Sequence, residues 1–169
     1  MLADIQQEFR RHQKLAEASL AALSDDSFFA RPGSTVNSVA MIVKHVAGNL
    51  RSRWTAFLAS DGEKPDRQRD QEFVITERDT RDELMAKWSV GWSAVWDATD
   101  SLTDADLDRT VTIRGEPHTV RQALLRGLTH TAYHVGQILY LVRLFEPGSR
   151  WLTIAPGTSK THNQSYLRP

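Results

Sequence analysis

His130 and His134 stand four residues apart in Thr129-His130-Thr131-Ala132-Tyr133-His134-Val135-Gly136-Gln137. On a helix that spacing sets one imidazole a turn above the other, so both can aim at one point. Neutral imidazole is the commonest side chain for holding a metal ion, and an open site of catalytic type uses three protein ligands. His45 is the third candidate, on a segment where its helical neighbours are Ser38, Met41, Gly48, Asn49 and Ser52, small and polar rather than greasy. Three neutral ligands leave the charge of a divalent ion in place, which lowers the pKa of a bound water or thiol more than a carboxylate-rich site does. Asn49, one turn from His45, and Gln137, three residues beyond His134, are placed to orient a ligand or contact substrate. Spacing alone equally allows histidines that are solvent-facing or at the edge of the core. Other chemistries fit less well. The Glu-x-x-His pattern of di-iron bundles is missing around His130 and His134. Thr131 stands where a zinc protease of His-Glu-x-x-His type needs its general base, and no nucleophile elbow is present.

The elements that must position these residues follow from hydrophobic periodicity. Leu2, Ile5, Phe9, Ala16, Leu20 and Leu23 mark a first helix from about Leu2 to Leu23, with His12 at the edge of the stripe. Ser24-Asp25-Asp26 breaks the pattern, and Phe28 to Gly33 reads as a loop with a Pro-Gly turn. A second helix starts near Thr35 or Asn37, either a suitable cap, and runs to about Leu58. Its apolar stripe is Val39, Val43, Val46, Leu50, Trp54 and Phe57.

Residues 60–73 are polar and interrupted by Gly and Pro. They read as a solvated connection, or as a rim in which Arg67 or Arg69 pairs a carboxylate or phosphate bidentately. Thr80-Arg81-Asp82-Glu83 fits a capping box for a third helix that packs Leu84, Trp88, Trp92 and Val95. Ser101 to Leu107 reads as a capped single turn, and Val111 to His118 as a short hairpin with His118 in an exposed loop. Thr119 and Gln122 then open a last helix over 120–145, with Thr131 on its packing stripe. The tail after Pro147 is too broken for a further long helix and is expected to pack back irregularly. These elements predict an all-α four-helix bundle with a short β-hairpin before the last helix and an irregular C-terminal tail.

With 169 residues, the chain is read as a single domain over 1–169. Lys plus Arg and Asp plus Glu both number 21, so the formal net charge is zero. That balance argues against nucleic acid or an anionic membrane as the main partner, while leaving room for a local basic patch. No apolar run approaches the roughly 20 residues of a membrane span, and Met1-Leu2-Ala3-Asp4 begins no signal peptide, so a cytoplasmic location is expected. The chain has no cysteine, which excludes disulfides, thiolate ligands and a protein-borne thiol nucleophile. Any thiol chemistry would use a thiol brought in from outside.

Three stretches carry a family resemblance. Lys44-His45-Val46-Ala47-Gly48-Asn49-Leu50-Arg51-Ser52-Arg53-Trp54, Asp61-Gly62-Glu63-Lys64-Pro65 and His130-Thr131-Ala132-Tyr133-His134-Val135-Gly136-Gln137-Ile138 resemble the DinB-like superfamily, in particular a branch with no assigned function. Ile154 to Ser159, with Asn163, is similar to that branch as well. The resemblance covers nearly the whole chain. It implies a DinB-type four-helix bundle, a nickel or zinc site formed by His45, His130 and His134, and a homodimer. Characterised relatives in the superfamily include S-transferases and isomerases that use low-molecular-weight thiols such as bacillithiol or mycothiol. The expectation is therefore a divalent-metal-dependent enzyme of the thiol S-transferase or hydrolase type, acting on a small molecule, with Asn49 and Gln137 positioning substrate. The alternatives are a non-catalytic metal- or small-ligand-binding stress protein on the same scaffold, and a structural dimer whose histidines merely pack.

Overall fold

Each long helix buries the stripe that its residue spacing marks out. In the computed structural model, which describes the backbone of residues 1–166 and the side chains of residues 1–162, α1 (Leu2–Leu20) turns Leu2, Ile5, Phe9, Ala16 and Leu20 inward. It stops at Leu20, short of the expected Leu23, because the chain must turn before the next cap. That cap is Ser24, whose side chain accepts from the Ser27 amide to start α2 (Asp25–Phe29). Asp25 and Asp26 complement the positive end of this short helix. The expected loop at Phe28 is thus helical, and Phe28 itself is fully buried.

The second long helix, α3 (Val39–Trp54), is capped by Ser38, which accepts from the Met41 amide, and not by Thr35 or Asn37. Ser38 is itself buried and sits directly before Val39, the first residue of the apolar stripe, so a cap there starts the helix on that stripe. The helix ends at Trp54, before the expected Leu58, because Thr55 is extended and Ala56 takes a positive φ of 49°. Phe57 still reaches the core through this turn. α4 (Arg81–Asp100) is capped by Thr80, whose side chain accepts from the Glu83 amide, without the reciprocal Glu83 bond of the expected capping box. β1 (Thr110–Ile113) and β2 (Glu116–Thr119) pair antiparallel, with Val111 opposite His118. His118 is therefore a half-buried strand residue and not an exposed loop residue. α5 (Val120–Phe145) follows, closed at its start by a reciprocal Thr119–Gln122 capping box.

The tail is not wholly irregular. Pro156-Gly157, with Gly157 at φ 80°, turns the chain into α6 (Ser159–Tyr166). The Asn163 side chain lies outside the described residues.

α3 packs most extensively on α4, and α1 on α5, while α3 and α5 meet over a smaller area. Phe9 of α1 ties the two pairs together. Its ring stands edge-on to Trp54 of α3 at 5.7 Å and to Trp92 of α4 at 6.3 Å. Each such pair adds about 0.5–1.5 kcal/mol beyond the area it buries. The Trp88, Trp92 and Trp96 series serves this core and the adjoining surface of α4. No described helix is long and apolar enough to cross a membrane.

The Asp61-Gly62-Glu63-Lys64 loop fastens the hairpin to the end of α3. Arg114 and Gly115 form its turn with φ 55° and 76°, the two positive values that a tight two-residue turn needs. The Asp61 carboxylate accepts from both of their amides at 2.8 Å, which holds Arg114 in a conformation that a side chain disfavours. Lys64 closes the other side, donating from Nζ to the carbonyls of Ser52 and Asp61. The next residues of the chain are thereby aimed back along α3, toward His45.

Candidate metal centre

His45 faces His130 and His134 across the junction between α3 and α5. One ring nitrogen from each lies within 4.8 Å of the others. His45 Nε2 and His130 Nε2 are 3.3 Å apart. His45 and His134 are buried and His130 is half-buried, while Thr131 between the last two is fully enclosed in the packing stripe.

The segment read as a solvated connection supplies the most buried support of this cluster. Residues Arg69–Phe73 form a 3-10 turn against α3, and its Glu72 is 7% exposed. Glu72 Oε2 accepts from His45 Nδ1 at 2.8 Å. Arg67 clamps the same carboxylate from the far side, Nε to Oε1 at 2.8 Å and Nη2 to Oε2 at 2.9 Å, and reaches Glu63 with Nη1. Arg67 is thus the bidentate partner of an internal carboxylate. Arg69 is exposed, its guanidinium over the Phe73 ring. Phe73 in turn stacks on His45 with centroids 4.7 Å apart.

The room beside His45 that Gly48 leaves is occupied by this carboxylate. A Cβ at position 48 would collide with Glu72 Oε1 and lie 2.8 Å from its Cδ. Gly127, one turn before His130, likewise makes way for Trp54, whose Cζ2 would be 2.6 Å from an added Cβ. Sequence reasoning missed Glu72 because nothing in a polar run separates a buried carboxylate from an exposed one. The available signal was Phe73, an aromatic closing that run.

Hydrogen bonding assigns the tautomers. An ionised carboxylate only accepts, so His45 donates from Nδ1 and keeps a lone pair on Nε2. Gln137 Oε1 accepts from His134 Nδ1 at 2.9 Å, with the same result at His134. His134 Nε2 is buried without a hydrogen-bond partner, as is His130 Nδ1. The lone pairs left on Nε2 of His45 and His134, with one nitrogen of each of the three rings within 4.8 Å of the others, fit a cation, and an all-imidazole set suits nickel or zinc better than magnesium or calcium. A carboxylate or amide holding the remote nitrogen of each ligand is the usual support of such sites. Asn49 lines a cavity of about 210 Å³ that also touches His45, His130 and Tyr133.

A family model described as "Protein of unknown function (DUF1572)" matches residues 1–158. The chain belongs to the DUF1572 family. No curated protein matches it. The chemistry of this DUF1572 site therefore has to be read from its own geometry.

Electrostatics keeps His130 and His134 neutral. Burial, then the neighbouring His134 and His45, push His130 down from 6.5 to about 3. Burial pushes His134 down from 6.5 to about 4, although its bond to Gln137 acts the other way. Burial alone would raise the Glu72 carboxyl. Its hydrogen bonds from His45 and Arg67 outweigh that and hold it below the usual range, ionised beside His45.

Two outcomes follow for this DUF1572 protein. Glu72→Gln is expected to weaken zinc affinity about 10–100-fold with the fold retained. Competition against a chromophoric chelator reads the affinity and circular dichroism the fold; wild-type affinity would remove Glu72 from the site. The second concerns acid. His130 and His134 have folded pKa values below their ordinary 6.5, so the unfolded chain takes up protons that the folded one refuses. Their contribution is complete above about pH 6.5 and is lost as pH falls toward 4 and then 3. Metal-free protein should accordingly show a declining urea midpoint from pH 7 to 5, less steep in His134→Gln. A midpoint flat over that range would contradict the assigned neutral burial.

Proposed function

We propose that this protein is a divalent-metal-dependent enzyme of the thiol S-transferase or hydrolase type, built on a DinB-type four-helix bundle with the ion held by His45, His130 and His134. The observation that carries the reading is the set of three imidazoles with one nitrogen of each within 4.8 Å of the others, two of which, His45 and His134, have their Nδ1 held by Glu72 and Gln137. Four long helices, α1, α3, α4 and α5, support the bundle assignment. The resemblance of the stretches around His45, Asp61 and His130 supports the superfamily.

A bound divalent ion would supply Lewis acidity, lowering the pKa of a thiol or water so that it can attack an electrophile near neutral pH. The chain's own groups do the rest. Three protein ligands leave room for a non-protein one, and the adjoining cavity of about 210 Å³ gives a small molecule access to His45 and His130. Asn49 offers a carboxamide donor and acceptor on the wall of that cavity, placed to orient substrate. Gln137 acts through His134, fixing its ring. A chain without cysteine is consistent with a low-molecular-weight thiol arriving as co-substrate.

The same reading implies a homodimer, supported by Tyr133, Tyr140 and Leu144, which lie 53%, 72% and 50% exposed along the outer side of α5. Sedimentation is expected to give a dimer at micromolar concentration; a monomer would withdraw that part of the proposal.

Elemental analysis of the purified chain, then nickel and zinc titration, tests the ion. His45→Ala should lower affinity at least about tenfold, and unchanged metal content would overturn the assignment. Metal-loaded protein should catalyse transfer of a small thiol to an electrophilic acceptor, or hydrolysis of an activated ester, with both activities lost in His45→Ala. Tight metal retention with no turnover across such a panel would favour a metal-binding protein without catalysis.

A further inference from the structure

The cavity beside the histidines is lined by five arginines, Arg53, Arg67, Arg69, Arg114 and Arg126, and by no carboxylate among the described residues. Three of the five are accounted for. Arg67 is held by Glu72 and Glu63, Arg114 reaches Glu63 at 3.4 Å, and Arg69 lies 3.7 Å from Asp70. Arg53 and Arg126 have neither an ion pair nor a hydrogen bond to a carboxylate among the described residues. Arg53 is 7% exposed, and its Nη1 is buried with no hydrogen-bond partner at all.

A guanidinium removed from water without a counter-ion is costly, and a second cation nearby adds to the cost. Both effects are present. Burial, then the charge of Arg126, pulls Arg53 down to about 10, and the Glu63 carboxylate, which makes no ion pair with it, offsets this only in part. Packing accounts for the Arg53 stem, whose Cδ and neighbour Ile113 pack close against Gly62. It does not account for the charge at the end of that stem. A buried polar group left open in this way marks a missing partner, and guanidinium is the side chain that matches an oxyanion, giving two parallel hydrogen bonds to a carboxylate or phosphate.

We propose that this cavity is an oxyanion pocket, in which Arg53 and Arg126 bind the carboxylate or phosphate of a small anionic substrate next to the three histidines. The inference deepens the metal-dependent reading and rests on it for what the neighbouring site does, whereas the pocket itself consists of arginines and does not need the ion to form. A volume of about 210 Å³ matches a single anionic group with a few attached atoms rather than a polymer. The cavity walls concentrate the field of the two unpaired charges, so an anionic molecule is drawn in with its charged end at Arg53 and Arg126. Its reactive end then lies toward His45 and His130.

The test uses the full chain, first metal-free and then zinc-loaded, at low ionic strength, titrated calorimetrically with inorganic phosphate and separately with succinate. Saturable binding of at least one of them to the metal-free chain is expected, and the tighter of the two identifies the anionic group. Arg53→Met, which keeps most of the stem, and Arg126→Ala should each weaken it at least about tenfold, the loss of a charged hydrogen-bond partner. Arg51→Ala, outside the cavity, should not. Phosphate or succinate should raise the melting temperature of wild type but not of Arg53→Met. If Arg53→Met fails to fold, the exposed Arg126 carries the comparison alone. No saturable binding of either anion at millimolar concentration would overturn the proposal, as would binding indifferent to both substitutions. Tighter, substitution-sensitive binding of a single-stranded oligonucleotide that displaces phosphate would overturn the small-molecule assignment. If the wild-type chain takes up no zinc yet binds the anion through Arg53 and Arg126, the metal-dependent reading falls and this one stands.

Discussion

A buried carboxylate must be held on every side, and the placement of Glu72 organises the structure around it. Arg67 grips it with two parallel hydrogen bonds and His45 donates a third. Breaking such a buried pair by removing one partner costs about 3–5 kcal/mol, a large share of the about 5–15 kcal/mol that holds a typical domain together. Residues 61–73 therefore have little freedom. The Asp61 loop sets where Arg67 begins, Arg67 sets Glu72, and Glu72 sets both the tautomer and the orientation of His45. Gly48 contributes by absence, since any side chain there would displace the carboxylate.

The histidines were legible in the sequence because helical periodicity is a local property. The spacing of His130 and His134 and the small-residue face around His45 are visible within a few turns of chain. The same holds for the core stripes, for Thr80 and Thr119 as caps, and for Thr131 as a packing residue. What escaped was decided at longer range or by the neighbouring residue. Glu72 comes to His45 from 27 residues away through a loop whose shape depends on the hairpin. Thr35, Asn37 and Ser38 are all residue types that cap helices well, and only the start of burial singles out Ser38. The helix at Asp25–Phe29 was hidden because Ser24-Asp25-Asp26 ends one helix and begins another. The terminal α6 was missed because its residues are polar and carry no apolar stripe.

The formal charge of zero likewise describes the chain and not its site. Carboxylates on the outer surface balance the arginines in the total, but they do not line the cavity by the histidines. Arg53 shows the distinction best. Its neighbours in sequence suggest a basic residue at the exposed end of a helix, yet the Asp61 loop folds over it and leaves it 7% exposed.

The division of the histidines between α3 and α5 has a mechanical consequence. His130 and His134 ride on one helix, so the pitch of that helix fixes their mutual spacing. His45 belongs to the other helix pair, and its distance from them depends on the register between α3/α4 and α1/α5. A ligand gripped by all three imidazoles would act as a clasp across that seam. It would reinforce the register that Phe9 already sets by packing edge-on against Trp54 and Trp92.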